Sequence, residues 1–251
     1  MASQIVLMYH DVVRRDCSES GFQNPTALKY KVKAIEFERQ VAAIADYLKT
    51  KRLPNDKIEF TFDDGGVTFL TEAAPILERY GFRGKFFIAT SRIDTEGFLT
   101  KEQIVELQRR GHIIGAHSHT HPERMSALTE QQIEDEWNTS VRILDCILGG
   151  KLAYASIPNG YSSAEVLEAM LQAGITEIHT SEPTTACRRH GGAMVKGRYA
   201  ITDADTVGSV MKIVDSRFTR IVKAARFRGL ALAKTLLGES YLKIRKTLLK
   251  E

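Results

Sequence analysis

Short apolar runs alternate along this chain with stretches in which apolar positions recur every three or four residues. The runs cover 5–10, 58–63, 85–89, 112–117, 151–157, 177–180 and 194–201, and their length and apolar content predict strands. Helical periodicity fills 36–48 and 71–80. Three further helices announce their starts: Thr100 with Gln103, Thr129 with Gln132 and Ser162 with Glu165 each have the spacing of a capping box. In that arrangement a hydroxyl and a carboxylate or amide satisfy the free N–H groups of a first turn. Repeated strand–helix–strand order predicts an α/β fold with parallel strands and covering helices. Residues 11–34 show no clear period and read as a long loop.

At 251 residues, 43% hydrophobic and 26% charged, the chain is long enough for one large α/β domain and need not be two. Cys17, Cys146 and Cys187 lie far apart with no C-x-x-C spacing, which argues against a disulfide framework or a thiolate zinc site and favours a reducing compartment. The chain runs from Met1 almost directly into its first strand. With no basic leader and no long apolar run, the expectation is a cytoplasmic protein.

The net charge of +4 is unevenly placed. From Arg217 to Glu251 ten Lys or Arg face two Glu, a balance of +8, which leaves 4 − 8 = −4 for residues 1–216. Phe218, Ile221, Val222, Phe227 and Leu230 recur among the cations at helical intervals. We therefore divide the chain into a body at 1–205 and a basic amphipathic helical tail at 206–251. The plainest account of the tail is a solvated helix face. Contact with an anionic membrane surface is the more specific one. No nucleic-acid module or stacking pattern accompanies the charge, so no nucleic-acid partner is expected.

Two segments carry chemistry: Thr61-Phe62-Asp63-Asp64-Gly65-Gly66 and His117-Ser118-His119-Thr120-His121-Pro122. Alone, Asp-Asp-Gly is ordinary turn chemistry, and a histidine pair four apart is weak evidence. Together they hold the inventory of a hydrolytic metal site, in which imidazole and carboxylate ligands leave a position open for water. Both segments follow apolar strands directly, at the C-terminal strand ends where parallel α/β folds collect catalytic groups.

These segments resemble the polysaccharide deacetylases, a carbohydrate esterase family built on the NodB homology domain. That family reads Thr-Phe-Asp-Asp-Gly and then His-Ser/Thr-x-x-His, the latter led in by Gly-His-x-Ile-Gly, here Gly111 to Gly115. The opening Ile5-Val6-Leu7-Met8-Tyr9-His10 and the stretch Gly81 to Ile88 are similar too, so the resemblance spans roughly residues 5–201. It implies an irregular (β/α) barrel with an incomplete strand count and hydrolysis of an N-acetyl or similar group on an amino sugar; if the tail meets a membrane, a lipid-linked sugar at the inner face fits better than a finished polymer.

Residue by residue, the resemblance implies that Asp64, His117 and His121 hold a divalent metal of the zinc type, with cobalt, nickel and manganese open. Asp63 is then the base toward the attacking water. Ile157-Pro158-Asn159-Gly160-Tyr161 resembles a third motif, which makes Pro158 and the backbone N–H of Asn159 candidates for the oxyanion side. Ser156 stands where many members have an arginine that orients the base; Arg198 resembles a late arginine able to take its place. No histidine follows His190, so the family's late general acid is absent. His10 is the first candidate for that role and His190 the second. The remaining histidines and acids read as structural: His119 beside the ligands, His112 packing or capping, His179 in a strand, and Asp203 and Asp205 in a turn and helix cap, with Trp137 in the core. Alternatives are a non-catalytic carbohydrate-binding relic and a hydrolase of a formyl or cyclic imide group.

Overall fold

The structure, a computed structural model, describes residues 4–237, with side chains as far as Leu230. The strands are β1 Ile5–Tyr9, β2 Val12–Val13, β3 Val32–Lys33, β4 Ile58–Phe62, β5 Gly84–Ile88, β6 Ile113–Ala116, β7 Tyr154–Ser156, β8 Glu177–His179, β9 Cys187–His190, β10 Ala193–Lys196 and β11 Tyr199–Ala200. The helices are α1 Pro25–Leu28, α2 Ala34–Lys51, α3 Ala74–Arg79, α4 Lys101–Arg109, α5 Glu130–Leu148, α6 Ala164–Gln172, α7 Val207–Asp215 and α8 Arg217–Leu237. Nine strands form one sheet in the order β11-β1-β4-β5-β6-β7-β8-β10-β9, and only β9 runs antiparallel to its neighbour.

That sheet curls almost into a barrel. Lys196 ends β10 and Tyr199 begins β11, on opposite sides of the strand order, yet three residues bridge at most about 11 Å. Flat, the five steps from β4 to β10 would span about 24 Å. Instead the Lys196 ammonium lies 3.4 Å from Glu59 of β4. An incomplete barrel is therefore the architecture, as expected. Its wall packs against the helices through a core that includes Phe37, Phe60, Phe62, Phe69, Phe86 and Trp137, all fully buried.

Local signals and structure agree closely at α4 and α5. Thr100 and Thr129 each accept an N3 backbone N–H, while Gln103 and Gln132 return the bond to the cap backbone. At α6 the cap is Ser163 and not Ser162: Ser163 is the last extended residue, φ −137°, and accepts the Val166 N–H, a geometry the cap position demands. The run 194–201 divides into β10 and β11 because Gly197 and Arg198 leave the ladder to cross the barrel opening. A Cβ at Gly197 would sit 2.3 Å from the Glu182 carbonyl oxygen, so only glycine permits this passage.

The segment 11–34 is more ordered than its sequence suggests. Val12 and Val13 pair with Val32 and Lys33 in a small parallel sheet, and α1 starts at an Asn24 cap. Buried Asp11 ties the segment down, accepting from Ser20 (2.6 Å) and Thr68 (3.2 Å) with the Lys31 ammonium at 3.7 Å. At the far end α7 buries Val210, Ile213 and Val214 and is fastened to α2 by Glu36 and Tyr47. Part of the basic tail, residues 238–251, lies outside the described residues.

Candidate active site

β4 delivers two neighbouring carboxylates in different directions. The Asp63 N–H extends the ladder by donating to the Tyr9 carbonyl at 3.1 Å. Asp64 then turns at φ 87° and Gly65 at φ 95°. Both residues end buried, 3% and 5% exposed. At the end of β6 the His117 N–H donates to the Ile88 carbonyl at 2.8 Å, and the chain turns through Ser118 (φ 60°) to His121 (φ 59°). Helix α5 holds this loop: Glu136 accepts the N–H groups of His119 and Thr120, and Ser140 donates to the Ser118 carbonyl. Asp64, Ser118, His121 and Asn159 are non-glycine residues in the left-handed region, and strain of this kind gathers at functional sites.

Asp64, His117 and His121 converge. Their ligand atoms lie within 4.8 Å of one another, with Asp64 Oδ1 at 3.5 Å from His117 Nε2 and 3.3 Å from His121 Nε2. Asp64 Oδ1 is buried without a hydrogen bond that satisfies it. Two imidazole nitrogens and a carboxylate oxygen around one point make the donor set of a divalent ion of the zinc type. His117 is oriented for it: Nδ1 faces the Ser156 carbonyl at 3.0 Å and the Ser156 hydroxyl at 2.6 Å. Nδ1 therefore carries the proton, and the Nε2 lone pair points at Asp64, the arrangement seen around histidine ligands generally. Phe22 packs its ring 5.0 Å from that of His121.

Asp63 faces a different set of partners. Arg198, fully buried, donates to both its oxygens at 2.6 and 2.7 Å. The guanidinium is itself fixed by the Thr180 carbonyl and Thr61 hydroxyl and lies over the Phe87 ring. The Ser156 hydroxyl donates to Asp63 Oδ1 at 3.1 Å. Burial alone would raise the Asp63 carboxyl; the charge and hydrogen bonds of Arg198, with His117 nearby, bring it instead down to about 2. Burial likewise opposes ionisation of Asp64, and the His117 and His121 rings that face it outweigh burial and hold that group well below the usual range.

The other candidates are distributed unevenly. His10 follows β1 on the same rim, its ring 4.5 Å from that of Tyr30 and its Nδ1 buried without a hydrogen-bond partner. Asn159 stands at φ 54° and its side-chain amide donates to the Pro122 carbonyl at 3.4 Å, which sets the third motif against the second; Pro158 beside it is buried. His190 is elsewhere, on edge strand β9, 3.7 Å from Glu168 of α6. His112 is buried between the Gly84 N–H and Glu78. The sequence assigns Asp11 no role and shows Ser156 only in the place where many family members carry an arginine. Only the Asp11 position beside His10 offered a local signal, whereas Ser156 gains its importance from two residues distant in sequence.

A second cluster, Glu59, Glu177 and His179, also brings three potential ligands together. Glu59 and Glu177 stand near the N-terminal ends of β4 and β8, and His179 ends β8 in register with Ser156. Lys85 and Lys196 each pair with both glutamates, so two cations already balance two anions. Burial keeps His179 below its ordinary pKa, toward the neutral form. The cluster is a charge-balanced plug in the barrel lumen.

Comparison with known proteins places this geometry. The family model described as polysaccharide deacetylase matches residues 50–178. YxkH of Bacillus subtilis, assigned to the polysaccharide deacetylases, is 31% identical over 145 residues, 57% of this chain and 52% of its own. The peptidoglycan-N-acetylglucosamine deacetylase PgdA of Listeria monocytogenes is 28% identical over 123 residues, 47% of this chain and 25% of its own. The chain thus spans about half or less of the curated relatives it matches. Among solved structures, the Streptococcus pyogenes deacetylase PplD superposes with a TM-score of 0.70 at 20% identity, covering 84% of this chain and 98% of that one. IcaB from Ammonifex degensii gives 0.66 at 22% identity, covering 85% and 97%; both likenesses are of fold. The family match takes in just over half of the chain, with both motif loops inside it, and the chain belongs to the polysaccharide deacetylase family.

Proposed function

We propose that this chain is a metal-dependent hydrolase that removes an N-acetyl or similar N-acyl group from an amino sugar. The observation that carries the reading is the juxtaposition of two differently furnished carboxylates: Asp64 among His117 and His121, and Asp63 beside them in the grip of Arg198 and Ser156. Asp64, His117 and His121 would hold the ion. When bound, a zinc-type ion lowers the pKa of water and polarises the amide carbonyl, so that even a weak carboxylate base suffices.

Asp63, kept ionised and aimed by Arg198, accepts the proton that the attacking water gives up. Proton transfer by such a positioned group contributes typically 10²–10⁴-fold to rate. His10 on the rim supplies a proton to the departing amine nitrogen, in place of the missing late histidine. Pro158 and the Asn159 N–H line the side where the carbonyl oxygen develops charge. An oriented base argues against a carbohydrate-binding relic, which would need the ion ligands but neither bond from Arg198 to Asp63.

Cys17, Cys146 and Cys187 are unpaired, as a reducing compartment would leave them, and the substrate we read is a lipid-linked or soluble precursor. The test is acetate and formate release by zinc- or cobalt-loaded protein on N-acetylated oligosaccharides, nucleotide sugars and polyprenyl-linked sugars. Release is expected from one class and should fall about 10²–10⁴-fold in Asp63→Asn while metal content is retained. Metal bound through His117 and His121 with no release from any substrate would overturn it.

A further inference from the structure

Helix α8 faces the wrong way for an ordinary surface helix. A helix that packs on a body turns its apolar stripe inward and its charges outward. Here Thr219, Arg220, Lys223 and Ala224 are the half-buried positions, and the contacts inward are made by cations. Arg220 donates to the carbonyls of Ile213 (2.6 Å) and Val214 (3.0 Å) in α7, and Arg228 pairs with Glu182 at 3.4 Å. Phe218, Ile221 and Val222 share the opposite face at helical spacing and are 75%, 54% and 48% exposed. From Ala225 to Leu230 every residue is exposed, so the helix stands off the body there, leaving Phe227 and Leu230 exposed too, on the side that Thr219, Arg220 and Lys223 turn inward earlier in the helix.

We propose that α8 docks this protein on an anionic phospholipid surface, its apolar side chains entering the headgroup region and its cations meeting lipid phosphates. Charge selects this occupant. Over its 21 residues α8 carries six Lys or Arg and no Asp or Glu. Arg217 borders the apolar stripe on one side and Arg226 on the other, as 100° per residue places them. Such a helix lies in a membrane interface. Packing α8 against the α8 of a second copy would set six cations against six, which like-charge repulsion opposes. Among the described residues no helix is long and apolar enough to cross a membrane, so α8 would lie on the surface and not span it.

The docking face is joined to the catalytic rim. Glu182, which pairs with Arg228, follows β8, and its carbonyl accepts the backbone N–H of Arg198 at 2.8 Å. Arg198 in turn holds Asp63. A bound α8 thus brings the rim close to the lipid surface, where a lipid-linked sugar would present its head. The docking itself does not rest on the proposed activity; only this last consequence does.

The test is flotation of the full chain with vesicles of 30% phosphatidylglycerol in phosphatidylcholine, and with pure phosphatidylcholine, at low and high salt. Binding should be about tenfold or more tighter to the anionic vesicles and weaken with salt. The triple variant Phe218→Ser/Ile221→Ser/Val222→Ser and, separately, Arg217→Glu/Arg226→Glu should each lose about tenfold. Circular dichroism and hydrolysis of a soluble substrate should be unchanged in both variants, which reads the site apart from the surface. Equal vesicle binding by parent and variants overturns the proposal. So does a dimer without vesicle affinity that the serine variant abolishes, which would name a second copy as the occupant. Retention on duplex DNA without vesicle binding overturns it too.

Discussion

Ser156 holds His117 twice, through its carbonyl at 3.0 Å and its hydroxyl at 2.6 Å from the same Nδ1. The hydroxyl then passes its own hydrogen to Asp63 Oδ1. One small side chain therefore joins the proposed base to a proposed metal ligand. Ser156→Ala should weaken zinc binding about tenfold, the lower end of the effect usual for groups behind a metal-ligating histidine. Competition with a chromophoric chelator measures this without reference to turnover, and Ser156→Thr, which keeps a hydroxyl, should recover part of the loss.

The Arg198–Asp63 pair is buried on both sides, 0% and 4% side-chain exposure. Arg198→Met leaves a carboxylate in the core without its counter-charge, and the expected loss is about 3–5 kcal/mol of stability. Arg198→Lys keeps the charge and gives up the two-pronged geometry, so it should lose less stability while hydrolysis still drops. Urea denaturation of the two variants separates charge from geometry; equal stability in both and in the parent would refute the account.

Acid should dissolve the lumen plug. Burial pushes the Glu59 and Glu177 carboxyls up, but His179, Lys85 and Lys196 outweigh it and hold both groups below the ordinary range. A carboxylate depressed in the folded state contributes stability that is present above its unfolded pKa, about 4.5, and is lost as pH falls through the folded value. The urea midpoint should accordingly be flat near neutrality and decline below about pH 5, with Asp63 extending the decline toward its own value of about 2. Glu177→Gln should start less stable and show a shallower slope in that window.

Gly66 is a packing requirement of the long segment after β1. A Cβ there would lie 1.9 Å from Asp11 Oδ1 and 2.4 Å from the Ser20 hydroxyl. Gly66→Ala must displace Asp11 from Ser20 and Thr68, at a cost of about 1–3 kcal/mol. Protease should then cut within 11–34 sooner than in the parent, whereas an unchanged cleavage rate would show that the segment is held by other contacts.

What the sequence by itself determined is local. Strand and helix order, the caps at Thr100 and Thr129, and the two motif segments at strand ends are all written within a few residues, because periodicity and capping are short-range physics. The resemblance added the expected partition of Asp63, Asp64, His117 and His121 between base and ligands, and the arginine at 198. Where local signals were ambiguous, as between Ser162 and Ser163 or within 11–34, the chain's path through distant contacts chose. Tertiary structure alone decided the rest. Curling of the sheet carries Arg198 across the barrel to Asp63, 135 positions away in sequence, and lays Lys85 and Lys196 between Glu59 and Glu177. It also sets Ser156 beneath His117. The outward turn of the α8 apolar face is of the same kind: its periodicity is plain in the sequence, but which side meets the body follows from where Arg220 and Arg228 find their partners.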